Sequence, residues 1–265
     1  MLPSLTDELL VVPQAARISV ARIKLNFFMI IKLYILQVKY FFGILQIIRS
    51  VPILRIIRIF AFVITLIIIA VTVIVSLLCF YGVLDFNALK FSAYDVWHHG
   101  KWWQMLTHGF VHGGWGHLFF NMLTLFFFGR VVEAYFADVW GVPAGQILYV
   151  VLYLTAIVAS SVWDLVKYRD DWNYSAVGAS GAVSAILFAS ILFEPKMGIY
   201  IYLIPIPVPG YIFAPLYLLY CWYMAKRNAD NIGHTAHFWG AIYGLLFPLA
   251  LRPDIFQHFL RQLGL

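Results

Sequence analysis

Charged side chains are scarce in this sequence of 265 residues. Asp, Glu, Lys and Arg together make up 11% of the chain, whereas an average soluble domain has about 25%. Hydrophobic residues make up 63%, and the mean hydropathy is +0.87. A soluble protein of this size lacks the polar surface to cover so many apolar side chains. The composition therefore excludes a soluble enzyme, a nucleic-acid-binding module and a disordered linker, and it indicates an integral membrane protein.

Cysteine is almost absent as well. The two cysteines, Cys79 and Cys221, lie in apolar segments that are far apart in the sequence. They could pair only if the fold brought them together, so we predict two packed thiols rather than a disulfide.

Six long apolar stretches of the chain carry no charge. A membrane-spanning helix needs about 20 mostly apolar residues, so the sequence predicts an all-α membrane protein with six transmembrane helices. We place these helices near 59–81, 116–136, 145–163, 176–193, 210–225 and 233–251. The fifth is short because the prolines of 205–210 block a preceding helical turn. We expect residues 197–208 to form an extended strap.

Lys and Arg are unevenly distributed between these helices. With the N-terminus inside, twelve of them lie in inside segments and six in outside segments, which predicts that both termini are cytoplasmic. Residues 1–58 form a basic amphipathic region that we expect to lie at the cytoplasmic interface of the bilayer, a frayed extension being the alternative. The six-helix core is then 59–252, and 253–265 is a short cytoplasmic tail.

The predicted first outside loop, residues 82–115, is rich in aromatic side chains. Aromatic residues at this density are typical of the lipid headgroup level. We therefore expect the loop to rest on the outer leaflet or dip into it. The residues concerned are Phe91, Tyr94, Trp97, Trp102, Trp103 and Trp115.

Polar residues stand at the outside ends of three predicted helices, where they are costly in lipid and point to function. His117 and Asn121 are one turn apart on the second helix and can donate hydrogen bonds into one spot. Ser180 opens the fourth helix, and His237 lies near the start of the sixth. Each set taken alone is more often explained as a contact between helices.

Small residues offer a way to bring two of these helices together. Gly240 and Gly244 form a stripe that lets another backbone come close. The fourth helix has a matching face of Ser180, Gly181, Ser184 and Ala185, with Gly178 just before it. If the two faces pack, Ser180 and His237 meet at the same depth.

Together the three sets have the parts of a serine hydrolase. A serine nucleophile needs a base to accept its proton and fixed donors for the oxyanion that forms. His237 can be the base, while His117, Asn121 and the backbone N–H of Ser180 can be the donors. The sequence offers no acidic residue near His237 except Asp230 in the preceding loop, so we predict a Ser–His dyad and not a triad.

The chain resembles the rhomboid intramembrane serine proteases over roughly 59–252. Each motif is weak alone, and their order and spacing together are specific. The matching motifs are Trp103-Gln104 with His108 and His112, His117-x-x-x-Asn121, Gly129-x-x-x-Glu133, Gly178-x-Ser180-Gly181 and Ala236-His237-x-x-Gly240-x-x-x-Gly244.

The resemblance implies that Ser180 is the nucleophile, His237 the general base, and His117 with Asn121 the oxyanion hole. It also implies cleavage of single-pass transmembrane proteins near the non-cytoplasmic face, without a metal or other cofactor, and a mobile fifth helix that admits the substrate. Two positions depart from the family. Gln104 stands where many members have arginine, and Ser184 replaces an aromatic residue that in some members stacks on the catalytic histidine.

Two other functions remain open at this point. A metal-binding or haem-binding membrane protein would use the histidines His108, His112, His117, His234 and His237. A non-catalytic, pseudoprotease-like protein would bind transmembrane helices in the same groove without cleaving them. In the family that the chain resembles, a mitochondrial member usually carries an added N-terminal span. Residues 25–48 are too charged for a confident seventh span, so the resemblance implies a bacterial inner membrane.

Overall fold

The structure is a computed structural model, and it describes residues 63–201, 206–227 and 232–265. The chain divides into units 1–55 and 56–265, and all described residues belong to the second. The predicted basic region 1–58 lies outside the described residues, as does the start of the first predicted helix.

The described residues are mostly helical. The six larger helices are α1 (Val63–Phe80), α5 (Trp115–Trp140), α6 (Ala144–Lys167), α7 (Ser180–Phe193), α8 (Gly210–Arg227) and α9 (His234–Leu251). Between α1 and α5 the chain forms three short helices, α2 (Phe86–Leu89), α3 (Ala93–His99) and α4 (Gln104–Thr107), followed by a 3-10 turn at His108–Phe110. A last helix, α10 (Ile255–Leu263), follows α9.

Three of these helices, α1, α5 and α6, are long and apolar enough to cross a membrane, and α7 is a shorter apolar helix. The count of six spanning helices stays a prediction. The predicted strap contains a short antiparallel pair, β1 (Gly198–Ile199) and β2 (Val208–Pro209). Residues 202–205 between these strands lie outside the described part.

Helix α7 is the centre of the bundle. All of its residues from Gly181 to Phe193 are buried, and α5, α6, α8, α9 and α10 all contact it. Such a helix can be apolar on every side because no face of it meets solvent or lipid. Ser180, its first residue, is only half-buried, so the buried helix presents a hydroxyl at one open end.

A buried carboxylate fixes α1 against α5 at the other end of the bundle. Glu133 of α5 accepts hydrogen bonds from the backbone N–H groups of Ile64 (3.0 Å) and Thr65 (2.9 Å) and from the Thr65 hydroxyl (2.5 Å). These N–H groups lie near the start of α1, where the helix dipole favours a negative charge. One turn earlier, a side chain at Gly129 would collide with Tyr149 and Thr65. The Gly129-x-x-x-Glu133 motif therefore joins three helices.

Candidate active site

Helices α7 and α9 pack with their backbones in contact. A Cβ added to Gly240 would overlap the carbonyl of Gly181, and one added to Gly244 would overlap the carbonyl of Ala185. The contacts advance in the same direction along both helices, so α7 and α9 run parallel. Only glycine permits this approach.

This packing brings Ser180 and His237 to the same end of the bundle. Ser180 directly precedes Gly181, and His237 lies one helical turn before Gly240. The backbone carbonyl of Ala236 lies 3.4 Å from the position that a Cβ on Gly181 would occupy. The hydroxyl and the imidazole therefore stand on neighbouring first turns of two parallel helices, and both are half-buried.

The segment before Ser180 is held by the loop between α1 and α5. Phe91 and Ala176 exchange backbone hydrogen bonds of 3.0 and 2.9 Å. The N–H of Gly178 donates to the carbonyl of His108 (2.9 Å). The N–H of Ala179 donates to Nε2 of the His112 side chain (3.4 Å). Three hydrogen-bonded contacts within four residues thus fix the chain that leads to Ser180.

His112 links this segment to α1 through one consistent set of protons. Because Nε2 accepts from Ala179, the hydrogen of the neutral ring lies on Nδ1 and is donated to Ser76 Oγ (3.0 Å). The Ser76 hydroxyl then donates to the carbonyl of Phe110 (2.9 Å). The assignment follows from the hydrogen-bond partners. Burial lowers the pKa of His112 to about 3, which keeps the ring neutral.

His108 has a similar role one turn earlier. The Ser161 hydroxyl donates to the carbonyl of Ile157 (3.0 Å), so His108 Nε2 donates to Ser161 Oγ (3.0 Å). Burial lowers the pKa of His108 to about 4. The sequence singled out both histidines as family positions, but spacing alone gave no sign that they brace the chain before Ser180.

These two histidines make the folded protein sensitive to acid. An unfolded histidine has a pKa of about 6.5. Between about pH 6.5 and pH 4, therefore, these two histidines are protonated in the unfolded chain but neutral in the folded protein. Their contribution to stability is complete above about pH 7 and is lost as the pH falls through that window. We expect thermal unfolding in detergent to shift to lower temperature between about pH 7 and pH 5. His112→Gln should reduce that shift, whereas His99→Gln, at an exposed position, should leave it unchanged; an equal shift in the His112 variant would contradict this account.

His117 and Asn121 lie beside Gly178. The His117 ring packs against Gly178, where a Cβ would lie 2.7 Å from Nε2. Gly178 has φ +113°, a conformation that favours glycine. Asn121 is 7% exposed and donates one Nδ2 hydrogen to the carbonyl of His117 (3.0 Å), which leaves its second hydrogen for another acceptor. The structure thus places the His117 imidazole against the chain two residues before Ser180, with Asn121 one turn along α5.

The two departures from the family pattern have their own contacts. Gln104 is fully buried, and its Oε1 accepts a hydrogen bond from the N–H of Ser92 (3.1 Å), which ties α4 to the start of α3. Ser184 Oγ lies 3.0 Å from the hydroxyl of Tyr217. That hydrogen bond joins α7 to α8 one turn beyond Ser180.

The structure corrects two expectations about this region. Phe91 was expected at the lipid headgroups, but it is 1% exposed because it packs with Ala93, Val96, Met105 and Leu165 inside the loop. The fourth helix begins at Ser180 and not near 176, since Ala176 pairs with Phe91 and Gly178 is not helical. Trp97, Trp102, Trp103 and Trp115 are all exposed, and the place of these side chains at the membrane surface stays a prediction.

The five histidines of the metal-binding alternative do not form one cluster. His108 and His112 are engaged with Ser161 and with Ser76 and Ala179. Within the described ranges, the single group with the spacing of metal ligands is Cys221, His234 and His237. No cysteine ligand was predicted, because Cys221 is 13 residues from His234 and lies on a separate helix.

Comparison with known proteins matches most of this region to one family. The family described as Rhomboid domain matches residues 99–254. RHOMBOID-like protein 12, mitochondrial, of Arabidopsis thaliana is 26% identical over 170 residues, which are 62% of this chain and 50% of that protein.

Two bacterial proteins are also similar. Rhomboid protease AarA of Providencia stuartii is 28% identical over 180 residues, 62% of each chain. Rhomboid protease GluP of Bacillus subtilis is 29% identical over 152 residues, 54% of this chain and 25% of that protein. The chain therefore covers less than two thirds of the length of each of these three relatives.

Proposed function

The chain belongs to the rhomboid family, and from this premise we propose that it is an intramembrane serine endopeptidase. In this proposal Ser180 is the nucleophile and His237 the general base of a dyad. His117, Asn121 and the Ser180 N–H stabilise the oxyanion. Its substrates are membrane proteins with a single transmembrane segment.

One observation carries the proposal: the contact between Gly181 on α7 and Gly240 on α9. It puts a serine and a histidine on adjacent first turns of two parallel helices. A general base must come within about 2.6–3.2 Å of the proton that it accepts, and such bonds commonly tighten only when the substrate binds. The backbone contacts of Ala176, Gly178 and Ala179 support the proposal because they hold the nucleophile in place.

The proposed reaction is acyl transfer followed by hydrolysis. Ser180 Oγ attacks the carbonyl carbon of the scissile peptide bond while His237 takes the hydroxyl proton. His237 then gives that proton to the leaving nitrogen, and the peptide bond breaks to leave an acyl ester on Ser180. Water then attacks the ester carbonyl while His237 takes a proton from the water. The bond between Ser180 Oγ and the acyl carbon breaks, His237 returns the proton to Oγ, and the acid product leaves and loses its own proton to solvent as a carboxylate.

The membrane arrangement belongs to the same proposal. We infer six spanning helices in the core 59–252, cytoplasmic termini, and a site that opens to the non-cytoplasmic side. Residues 1–58 lie at the cytoplasmic interface and 253–265 form the tail. The loop between α1 and α5 rests in the outer leaflet, which its exposed tryptophans favour. A bacterial inner membrane is the proposed location.

Helix α8 is the proposed entrance for the substrate. It begins directly after the short β1–β2 pair and contains Pro215. Its side chains contact the site through the Ser184–Tyr217 hydrogen bond, the packing of Tyr220 on the His234 ring and the approach of Cys221 to the histidines of α9. The hydrogen bond contributes only about 0.5–1.5 kcal/mol, and the apolar contacts of α8 with α7 and α9 must also part when the substrate enters.

Replacing Asn121 tests the oxyanion hole. We expect Asn121→Ala to lower the cleavage rate about 10²–10³-fold, the usual effect of removing one oxyanion donor. The measurement is the rate of cleavage of a reporter with one transmembrane segment by purified protein in detergent. Asn173→Ala, at an exposed loop position, is the matched control and should cleave at the wild-type rate. Wild-type cleavage by the Asn121 variant would remove this residue from the oxyanion hole.

A further inference from the structure

A thiol and two imidazoles converge where α8 meets α9. The ligand atoms of Cys221, His234 and His237 all lie within 4.8 Å of one another. Cys221 is a free cysteine and is fully buried, and His234 is 4% exposed. His237 keeps partial exposure, which gives a small ion a route to the group.

The fold explains why these three side chains face each other. His234 and His237 are the first and fourth residues of α9, one turn apart on one side of the helix, and their ring centroids are 6.1 Å apart. On α8, Tyr220 packs edge-on against the His234 ring at 5.4 Å. Tyr217, one turn before Cys221, contacts Ser184 on α7. These two contacts, one turn before Cys221 and directly before it, fix the part of α8 that carries the thiol.

The chemistry of the group favours a borderline or soft divalent metal. Thiolate and imidazole are the ligands that Zn²⁺ prefers, at about 2.3 Å for sulfur and about 2.0–2.1 Å for nitrogen. The ligand atoms around a tetrahedral ion with these bond lengths lie about 3.5 Å apart. Side-chain rotations that bring the three ligand atoms about 1 Å closer together are therefore enough to bind the ion. Mg²⁺ and Ca²⁺ prefer oxygen ligands, which this group lacks.

We propose that Cys221, His234 and His237 bind one Zn²⁺ ion, with solvent as fourth ligand, and that this ion switches the protein off. On binding, the Cys221 thiol loses its proton to solvent as the Zn–S bond forms, and each imidazole gives a nitrogen lone pair. The ion thereby occupies the side chain that serves as general base. It also fastens α8, the proposed entrance, to α9. The inhibition rests on the proposed function, whereas the binding of the ion does not.

Cobalt binding tests the site without reference to activity. Co²⁺ takes the place of Zn²⁺ and, with a thiolate ligand in four-coordinate geometry, gives a near-ultraviolet charge-transfer band and intense visible bands. We expect purified full-length protein in detergent to show these bands at one equivalent of Co²⁺ and to lose them when Zn²⁺ is added. Mg²⁺ should not displace Co²⁺.

The two cysteines supply a matched pair of variants. Loss of a residue that only hydrogen-bonds to a metal ligand already lowers metal affinity about 10–100-fold. Because Cys221 is a direct ligand, Cys221→Ser should weaken Co²⁺ binding at least about 100-fold and abolish the charge-transfer band. Cys79→Ser, on α1, should keep both. His234→Gln is a second variant that should also weaken binding if Cys221→Ser fails to fold. A wild-type protein without the band, or a band that persists in folded Cys221→Ser, would overturn the site.

Zn²⁺ inhibition tests the consequence separately. If the protease is active, Zn²⁺ should block both reporter cleavage and fluorophosphonate labelling of Ser180, and Cys221→Ser should need at least about 100 times more Zn²⁺ for the same block. Cobalt bands in a protein that never cleaves would uphold the metal site and refute the proposed function. Cleavage with no cobalt bands would uphold the function and refute the site.

Discussion

Replacing His237 with alanine is expected to reduce cleavage of a transmembrane reporter by about 10⁴-fold, to the level of background. The reason is that serine and its base act as one unit, so loss of either removes nearly all of the covalent chemistry. The packing of α9 should survive, because the contacts with α7 are made by Gly240 and Gly244. The measurement is the single-turnover cleavage rate of purified protein, with helical circular dichroism as the check on folding.

The double variant makes this prediction sharper. If Ser180 and His237 act together, Ser180→Ala combined with His237→Ala should be no slower than Ser180→Ala alone. If the losses in cleavage rate of the two single variants multiply in the double variant, the two residues act independently and do not form a dyad. His99→Ala, in the loop between α1 and α5, is the control histidine, since its ring is exposed and contacts Asp95 (2.8 Å); it should cleave at the wild-type rate.

Adding one methyl group at Gly178 is expected to have the second largest effect. The Cβ of Gly178→Ala would overlap the His117 ring, and φ +113° is strained for any residue except glycine. The chain must move by several tenths of an ångström or more, two residues before the nucleophile. Because misplacement by about 1 Å can cost about 10²-fold in rate, we expect cleavage to fall about 10²-fold while the bundle stays folded.

Alanine substitutions at two other glycines separate the effect of backbone strain from the effect of the collision with His117. Gly100 has φ +66° and open space around it, so Gly100→Ala carries backbone strain without a collision. Gly116, in the first turn of α5, also has open space and no positive φ, so Gly116→Ala carries neither. We expect both variants to cleave within about threefold of wild type. A Gly178 variant that cleaves as well as these two would show that the approach of His117 to Gly178 is irrelevant to the reaction.

The helices and the pairing of α7 with α9 were accessible from the sequence because they depend on local patterns. Uninterrupted apolar stretches predict helices wherever they occur, and the stripes at Gly240 and Gly244 and at Ser180 and Gly181 indicate close packing. The structure begins α8 and α9 at Gly210 and His234, at or within one residue of the predicted starts. The prolines and glycines before these helices mark the starts clearly.

The bracing of the site was not accessible, because it depends on contacts between distant parts of the chain. His112 reaches Ser76 and Ala179 across 36 and 67 residues. Phe91 pairs with Ala176, and this long-range pairing delays the start of α7 beyond the point that its composition predicts. Cys221 meets His234 only through the packing of α8 on α9. The hydrophobic periodicity of a single segment does not predict contacts with distant segments.

Fluorophosphonate labelling combined with reporter cleavage shows whether Ser180 is a nucleophile. Wild-type protein and Ser180→Ala are compared in detergent, with Ser184→Ala as the matched control one turn along α7. We expect label and cleaved product both to appear with wild type and with Ser184→Ala, and both to vanish in Ser180→Ala. The contrary result is a folded wild-type protein that is not labelled and cleaves none of several reporters, yet co-purifies with them as strongly as Ser180→Ala does. The protein would then bind transmembrane helices without cleaving them, and Ser180 would not be a nucleophile.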